Sequence, residues 1–334
     1  MSKSPPALVL LALALGTLGC SLFIPATPTP LPLASTEAPP GTAAPALPTP
    51  APATEPPAPP TEPVAAPTKA PTTPAPASLT AQQLKNAEYE LPQYGRTVTL
   101  ADGLYESGSS ADYIYAKMLD QVAFGDLNGD GADDAAVMLA ESGGGSGTFV
   151  SVIVMLNQDG RPVQSSSTLI DDRPIIESIS IDNGQIVVGA TIHGTDDPGC
   201  CPNFPVIETY AWTPSHLDLA HFSSTTPNGA KRDIQIERPT PGVEASGSLR
   251  VQGSFTISPF ENTLTYRLLD EQGAQVAAGP IAAQSDGLGG PGTFDGTIDL
   301  AGLPSGSTVR VQIVDVSAAD GSTLALDSVL VTLK

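Results

Sequence analysis

Asp126–Asp134 reads DLNGDGADD, with four acidic residues, one Asn and two Gly in nine positions. Asp126, Asn128, Asp130 and Asp134 stand at positions 1, 3, 5 and 9 of a D-x-[DN]-x-D-G-x-x-D pattern. Gly131 falls at position 6, where the chain must turn sharply, and Ala132 at position 7 can offer its carbonyl. This spread of oxygen donors suits a hard cation, and the expected cofactor is Ca2+ in a structural role. Asn, Gly and Asp are also ordinary turn residues, so an acidic turn that binds nothing is the competing reading. Catalysis would need a nucleophile, a base or an open coordination position nearby, and the flanking residues supply none.

A second chemical cluster is HGTDDPGCCPN, His193–Asn203. Cys200 and Cys201 are neighbours, and in an oxidising exterior they are expected to pair with each other. Adjacent Cα atoms lie about 3.8 Å apart, below the roughly 4.4–6.8 Å of most disulfides, so the bond would close a tight ring. The alternatives are two reduced buried thiols, or a metal site that adds His193. The chain has three His in all, so a catalytic triad or a His-rich zinc site is poorly supplied, and His216 and His221 read as ordinary residues at a domain edge. Thr148 stands where a G-x-S-x-G nucleophile elbow needs Gly. No catalytic residue is nominated. The enzymatic alternatives are a metal-assisted hydrolase on the acidic loop, or a thiol oxidoreductase on the Cys pair.

The N-terminus carries an address. Behind Lys3, ALVLLALALGTLG is too short to span a bilayer, which takes about 20 apolar residues, and it reads as a signal-peptide core over residues 1–19. The following TLGC, Thr17–Cys20, resembles a bacterial lipoprotein lipobox, although Thr17 stands where Leu is usual. The resemblance implies that Cys20 becomes the first mature residue and carries a diacylglycerol, which places the protein on the extracytoplasmic face of the membrane. An ordinary secretory peptide cut nearby is the other reading. Residues 20–78 form the tether, and 19 of the 35 Pro fall between Pro25 and Pro76. Pro, Ala and Thr with almost no charge cannot bury a core, so disorder is expected. Fully extended, such a stretch reaches on the order of 170 Å. From Leu79 on there are 12 basic and 32 acidic residues. That balance repels phosphate backbones and excludes nucleic acid as a partner. The partners left are the membrane, through the lipid, and an envelope protein or glycan.

The folded part is expected to be mainly β, in two modules joined by a linker at 223–233. In the first, 79–222, Thr80 and Gln83 have capping-box spacing before a short helix with Leu84, Ala87 and Leu91 on its apolar face. Strand-like runs rich in Val, Ile and aromatics follow, with DNGQ at Asp182–Gln185 as a hairpin signal, so a mostly antiparallel α+β module is predicted. GDLNGDGADDAAVML, GGGSGTFVSVIVML and HGTDDPGCCPNFPVIETYAW together resemble an uncharacterised module of bacterial lipoproteins, which implies no known activity. Val137 stands where an EF-hand has its bidentate Glu, and the flanks are strand-like. The loop is therefore similar to the calcium loops of integrin-type repeats. In the second module, 234–334, about seven short strands predict an immunoglobulin-like sandwich. The alternation in TVRVQIVDV places Val309, Val311, Ile313 and Val316 near one inner face, with a register break at the end. SPFENTLTYRLLDEQG, GPGTFDGTIDL and VSAADGSTLALDSVLVTL resemble the immunoglobulin-like domain of bacterial spore germination proteins, which implies an accessory module without catalytic residues.

Overall fold

The structure, a computed structural model, describes residues 77–334, so the expected signal peptide, Cys20 and nearly all of the tether lie outside the described residues. Helix α1 (Ala81–Leu84) is a single turn closed by the predicted capping box: Thr80 accepts from the Gln83 N–H, and Gln83 reaches back to the Thr80 N–H. Leu84, Ala87 and Leu91 are buried together as expected, but Leu91 lies in a strand rather than on the helix. That strand, β1 (Glu88–Leu91), pairs with β2 (Arg96–Thr99) in a two-stranded hairpin.

A five-stranded antiparallel meander follows: β3 (Leu104–Ser107), β4 (Ile114–Gly125), β5 (Asp134–Ser142), β6 (Phe149–Gln158) and β7 (Arg161–Asp172). Its central strand β5 is almost continuously apolar because both faces are covered. Ala136, Met138 and Ala140 face one core, while Ala135, Val137 and Leu139 face a second, capped by α1 and the hairpin. Four more strands form the opposing layer: β8 (Ile175–Asp182), β9 (Gln185–Ile192), β10 (Phe204–Trp212) and β11 (Leu217–Thr225). The β8–β9 turn is the predicted one, with Asn183 and Gly184 both at positive φ. Strands β7 and β11 were not legible. β7 carries the polar run QSSST and lies at a sheet edge, where it pairs only with β6.

After β12 (Lys231–Arg232) in the link, the second module holds β13 (Ile234–Arg238), β14 (Val243–Ala245), β15 (Ser248–Phe255), β16 (Thr263–Leu269), β17 (Gln275–Ser285), β18 (Gly292–Asp299), β19 (Thr308–Val316) and β20 (Thr323–Leu333). All seven predicted strands are present, around a core that includes Val251, Leu264, Ile298 and Ile313. Strand β17 passes between layers, pairing β16 along most of its length and β18 at its end.

The expected linker at 223–233 is short of irregular chain. β11 runs on to Thr225, and β12 folds back on it at Lys231. The two modules then share a sheet, because β11 pairs β20 through His221–Asp327 and Phe222–Leu326. β19 is buried on both faces in consequence. Val309, Val311 and Ile313 fill the second module's core as predicted. Val316 does not join them: two residues after Val314, it stays on the same side by alternation and packs with Val314 and Leu326 against the first module's core, because the irregularity at Asp315/Val316 places its extra residue in β20 and leaves the phase of β19 unchanged.

Candidate functional site

The acidic loop joins β4 to β5, as its strand-like flanks required. Gly129 and Gly131 both take positive φ, so they supply the turn that a side chain would strain. The side chains close the loop on itself. Asp126 accepts from the Gly129 N–H at 2.7 Å and the Gly131 N–H at 2.9 Å. Asn128 Oδ1 accepts from the Asp130 N–H, and Asp130 from the Ala132 N–H. Asp134 is fully buried and accepts from the N–H groups of Leu127 and Asn157, at 3.0 and 2.8 Å. Burial raises its carboxyl pKa, with the neighbouring Asp130 and Asp126 charges adding to the effect. The donor set suits Ca2+ in type, and a carboxylate oxygen that takes one N–H keeps a second lone pair. Among the described residues, however, no three His, Cys, Asp or Glu side chains gather as a metal shell.

Cys200 and Cys201 are exposed on the β9–β10 loop, with their sulfurs in bonding position and their Cα atoms 3.8 Å apart. His193 is not drawn to them. Its Nδ1 lies 2.8 Å from Asp171 Oδ2, which also accepts from the His193 N–H. One carboxylate thus fixes both ring and backbone. Asp197 pinches the base of the loop by accepting from the N–H groups of Gly194 and Asn203.

A further site is one the sequence did not disclose. The β9–β10 loop, β10, β11 and the β19–β20 turn enclose a cleft of about 630 Å³ at the seam of the modules. Its apolar floor is built on Ile192, Phe204, Leu219, Phe222 and Leu324, with the two Phe ring centroids 6.5 Å apart. Thr195 donates to Asp320 at 2.7 Å and ties the two walls together. Glu208 lines the cleft although it is only 6% exposed. Tyr210 donates to its Oε2 at 2.9 Å. Burial pushes the Glu208 carboxyl up to about 7, against the lowering effect of the Tyr210 bond. No Lys or Arg lines the cleft.

Polar pairs that cross between the modules hold this seam. Arg310 on β19 donates to Asp218 on β11 at 3.0 Å, and both are buried. Asp218 also binds His216 Nε2 at 2.9 Å. Gly273 packs so close that an added Cβ would come within 2.9 Å of the same ring nitrogen. Ser215 lies 2.8 Å from His216 Nδ1, but the resulting Ser–His–Asp chain ends on Arg310 and serves to lock the seam. His221 sits between Asp233 and Asp327, at 2.9 and 3.3 Å. The two histidines that read as edge residues are therefore seam residues. The partners of His221 lie in the second module, at Asp327, and in the link to it, at Asp233, whereas His216 bonds the nearby Asp218 and reaches the seam only through the Asp218–Arg310 pair.

A family model for the immunoglobulin-like domain of bacterial spore germination matches residues 233–322. No curated protein matches the chain. The matched stretch takes in β13 to β19 and stops just before β20, the strand that joins the modules. Residues 233–322 are thus similar to the immunoglobulin-like domain of bacterial spore germination proteins, as the residues around SPFENTLTYRLLDEQG suggested.

Proposed function

We propose that this chain is a lipid-anchored extracytoplasmic protein that binds a component of the cell envelope and does no chemistry on it. The observation that carries the binding role is the seam cleft: a concave, mostly apolar site of ligand size between two modules, with a few fixed polar groups. Anchoring is supported by TLGC at the end of a short apolar segment. In this reading Cys20 carries the lipid, residues 20–78 are the stalk, and the modules at 79–222 and 234–334 present the cleft. Asp126, Asn128, Asp130, Asp134 and the Ala132 carbonyl would hold one Ca2+, which braces the β4–β5 turn and neutralises crowded carboxylates. The Cys200–Cys201 bond keeps the cleft's outer loop in one shape.

Fractionation of cells that make the Cys20→Ser chain tests the anchor. The variant is expected to leave the membrane fraction or to remain unprocessed; normal processing and retention in the membrane would end the lipoprotein reading.

A further inference from the structure

We propose that the seam cleft takes a small amphipathic cation, with an apolar body resting on Phe204 and Phe222 and an ammonium group meeting the Glu208 carboxylate. The proposal rests on the reading of the cleft as a binding site and adds the ligand's chemical class.

Four carboxylates line the cleft, and Asp196 among them is exposed, so that water meets its charge. Asp171, outside the lining, is occupied by the backbone N–H and ring Nδ1 of the lining residue His193. Asp197 accepts two backbone N–H groups. Asp320 accepts from Thr195 and from the Ser322 N–H and hydroxyl. Glu208 differs from them. Tyr210 satisfies Oε2, and no other hydrogen bond among the described residues reaches this carboxyl. A carboxylate so deeply buried is costly unless a cation or further donors meet it. Yet no Lys or Arg lines the cleft, and its one histidine, His193, is engaged by Asp171.

The neighbours fit the rest of such a ligand. Glu208 lies directly opposite Phe222 in the β10–β11 ladder. Phe204 is two pleats away on the same face of β10, with Val206 between them. An ammonium group bound at Glu208 is thus next to Phe222, and an apolar body can run along the same face toward Phe204. Anions are excluded by the same field that spares the chain from nucleic acid.

The test uses three probes of one shape: phenethylamine, phenethyl alcohol and hydrocinnamate. Each is titrated into the full chain carrying Cys20→Ser, and the methyl NMR signals of Ile192, Leu219 and Leu324 are followed. Phenethylamine should shift them saturably, hydrocinnamate should not, and the alcohol should bind at least about fivefold more weakly. Amine binding should tighten by up to about tenfold from pH 6 to pH 8, as Glu208 ionises. The groups facing Glu208 are Tyr210 on its own strand, Asp171 on β7, His193 at the end of β9 and Asp320 in the β19–β20 turn. To separate them, Glu208→Gln should lose both the amine preference and the pH dependence; a pH dependence that persists there would assign it to His193 and overturn the Glu208 contact. Thr323→Phe, which fills the cleft, should abolish binding of every probe, and unchanged amine binding would place the site elsewhere. Equal affinity for alcohol and amine would overturn the cationic class and leave the cleft as a binding site. No shift with any of the three would overturn both.

Discussion

The acidic loop and the Cys pair are residue-scale features, and both were legible because their chemistry is local. Turn residues and ligand residues sit within nine positions of one another at Asp126–Asp134. What the sequence did not show is that Asp134 points inward to hold the N–H groups of Leu127 and Asn157. The loop is closed by its own hydrogen bonds, so Ca2+ should stiffen it without being needed for folding. With an affinity of about 10⁻⁴ M, in the range of extracellular modules, about 1 mM Ca2+ would contribute about 1.4 kcal/mol. Thermal unfolding with Ca2+ and with chelator should therefore differ by a few degrees, and Asp130→Ala should erase the difference. Identical melting curves would leave an acidic turn. Thiol titration of denatured, unreduced protein is expected to find no free thiol from Cys200 and Cys201; two labelled thiols there would mean that the pair is reduced.

At the scale of elements, β19 shows how far pattern reading reaches. TVRVQIVDV alternates, and alternation ordinarily means one buried face and one wet face. Here Arg310, Gln312 and Val314 are buried too, because β11 and its neighbours cover the face that the pattern assigned to solvent. Gln312 donates to the Leu219 carbonyl, and Arg310 to Asp218 and Ser328. β11 went unread for the same reason, since the groups that satisfy its Asp218 and His221 lie far along the chain. The seam cleft inherits this blindness: its walls are some 120 residues apart, joined by the Thr195–Asp320 bond. Arg310→Ala strands a buried Asp218 and should cost about 3–5 kcal/mol. Arg310→Met with Asp218→Leu should recover much of that, as measured by denaturant unfolding. Fragment 234–334 keeps a self-contained core and is expected to fold. It should melt below the full chain, because Val314 and Leu326 lose their cover. A fragment that melts as high as the full chain would show that the seam adds no stability.

For the molecule as a whole, the buried acids set the pH response. Glu141 and Glu208 have an ordinary value of 4.5, and burial pushes each up to about 7. In the unfolded chain they ionise near the lower value, while the native state keeps its protons to the higher one. Stability therefore falls as pH rises from about 4.5 to 7. Burial alone would lower His221, but Asp327 and Asp233 outweigh it, and the net shift is upward. Its contribution is complete below the ordinary His value and is lost as pH rises through the native one, so it has the same sign. Asp172, held down by Arg173, and Asp295, held down by Arg250, act oppositely. Their stabilisation is lost as pH falls through their native values, below the ordinary 3.8. The melting temperature should thus be several degrees higher near pH 5.5 than at pH 8, and Glu141→Gln should flatten the slope. A melting temperature that rises toward pH 8 would contradict this account. The sharing of one sheet by the two modules also has a consequence in time. β20 follows every other described strand in the chain, and its contacts with β11 close a loop of more than 100 residues. As the polypeptide emerges N-terminus first, the first module waits with Asp218 lacking Arg310, with His221 unpaired and with one wall of its cleft missing. Binding at the proposed cleft should therefore appear only once β20 is in place, and a chain interrupted before it should stay silent rather than half-competent.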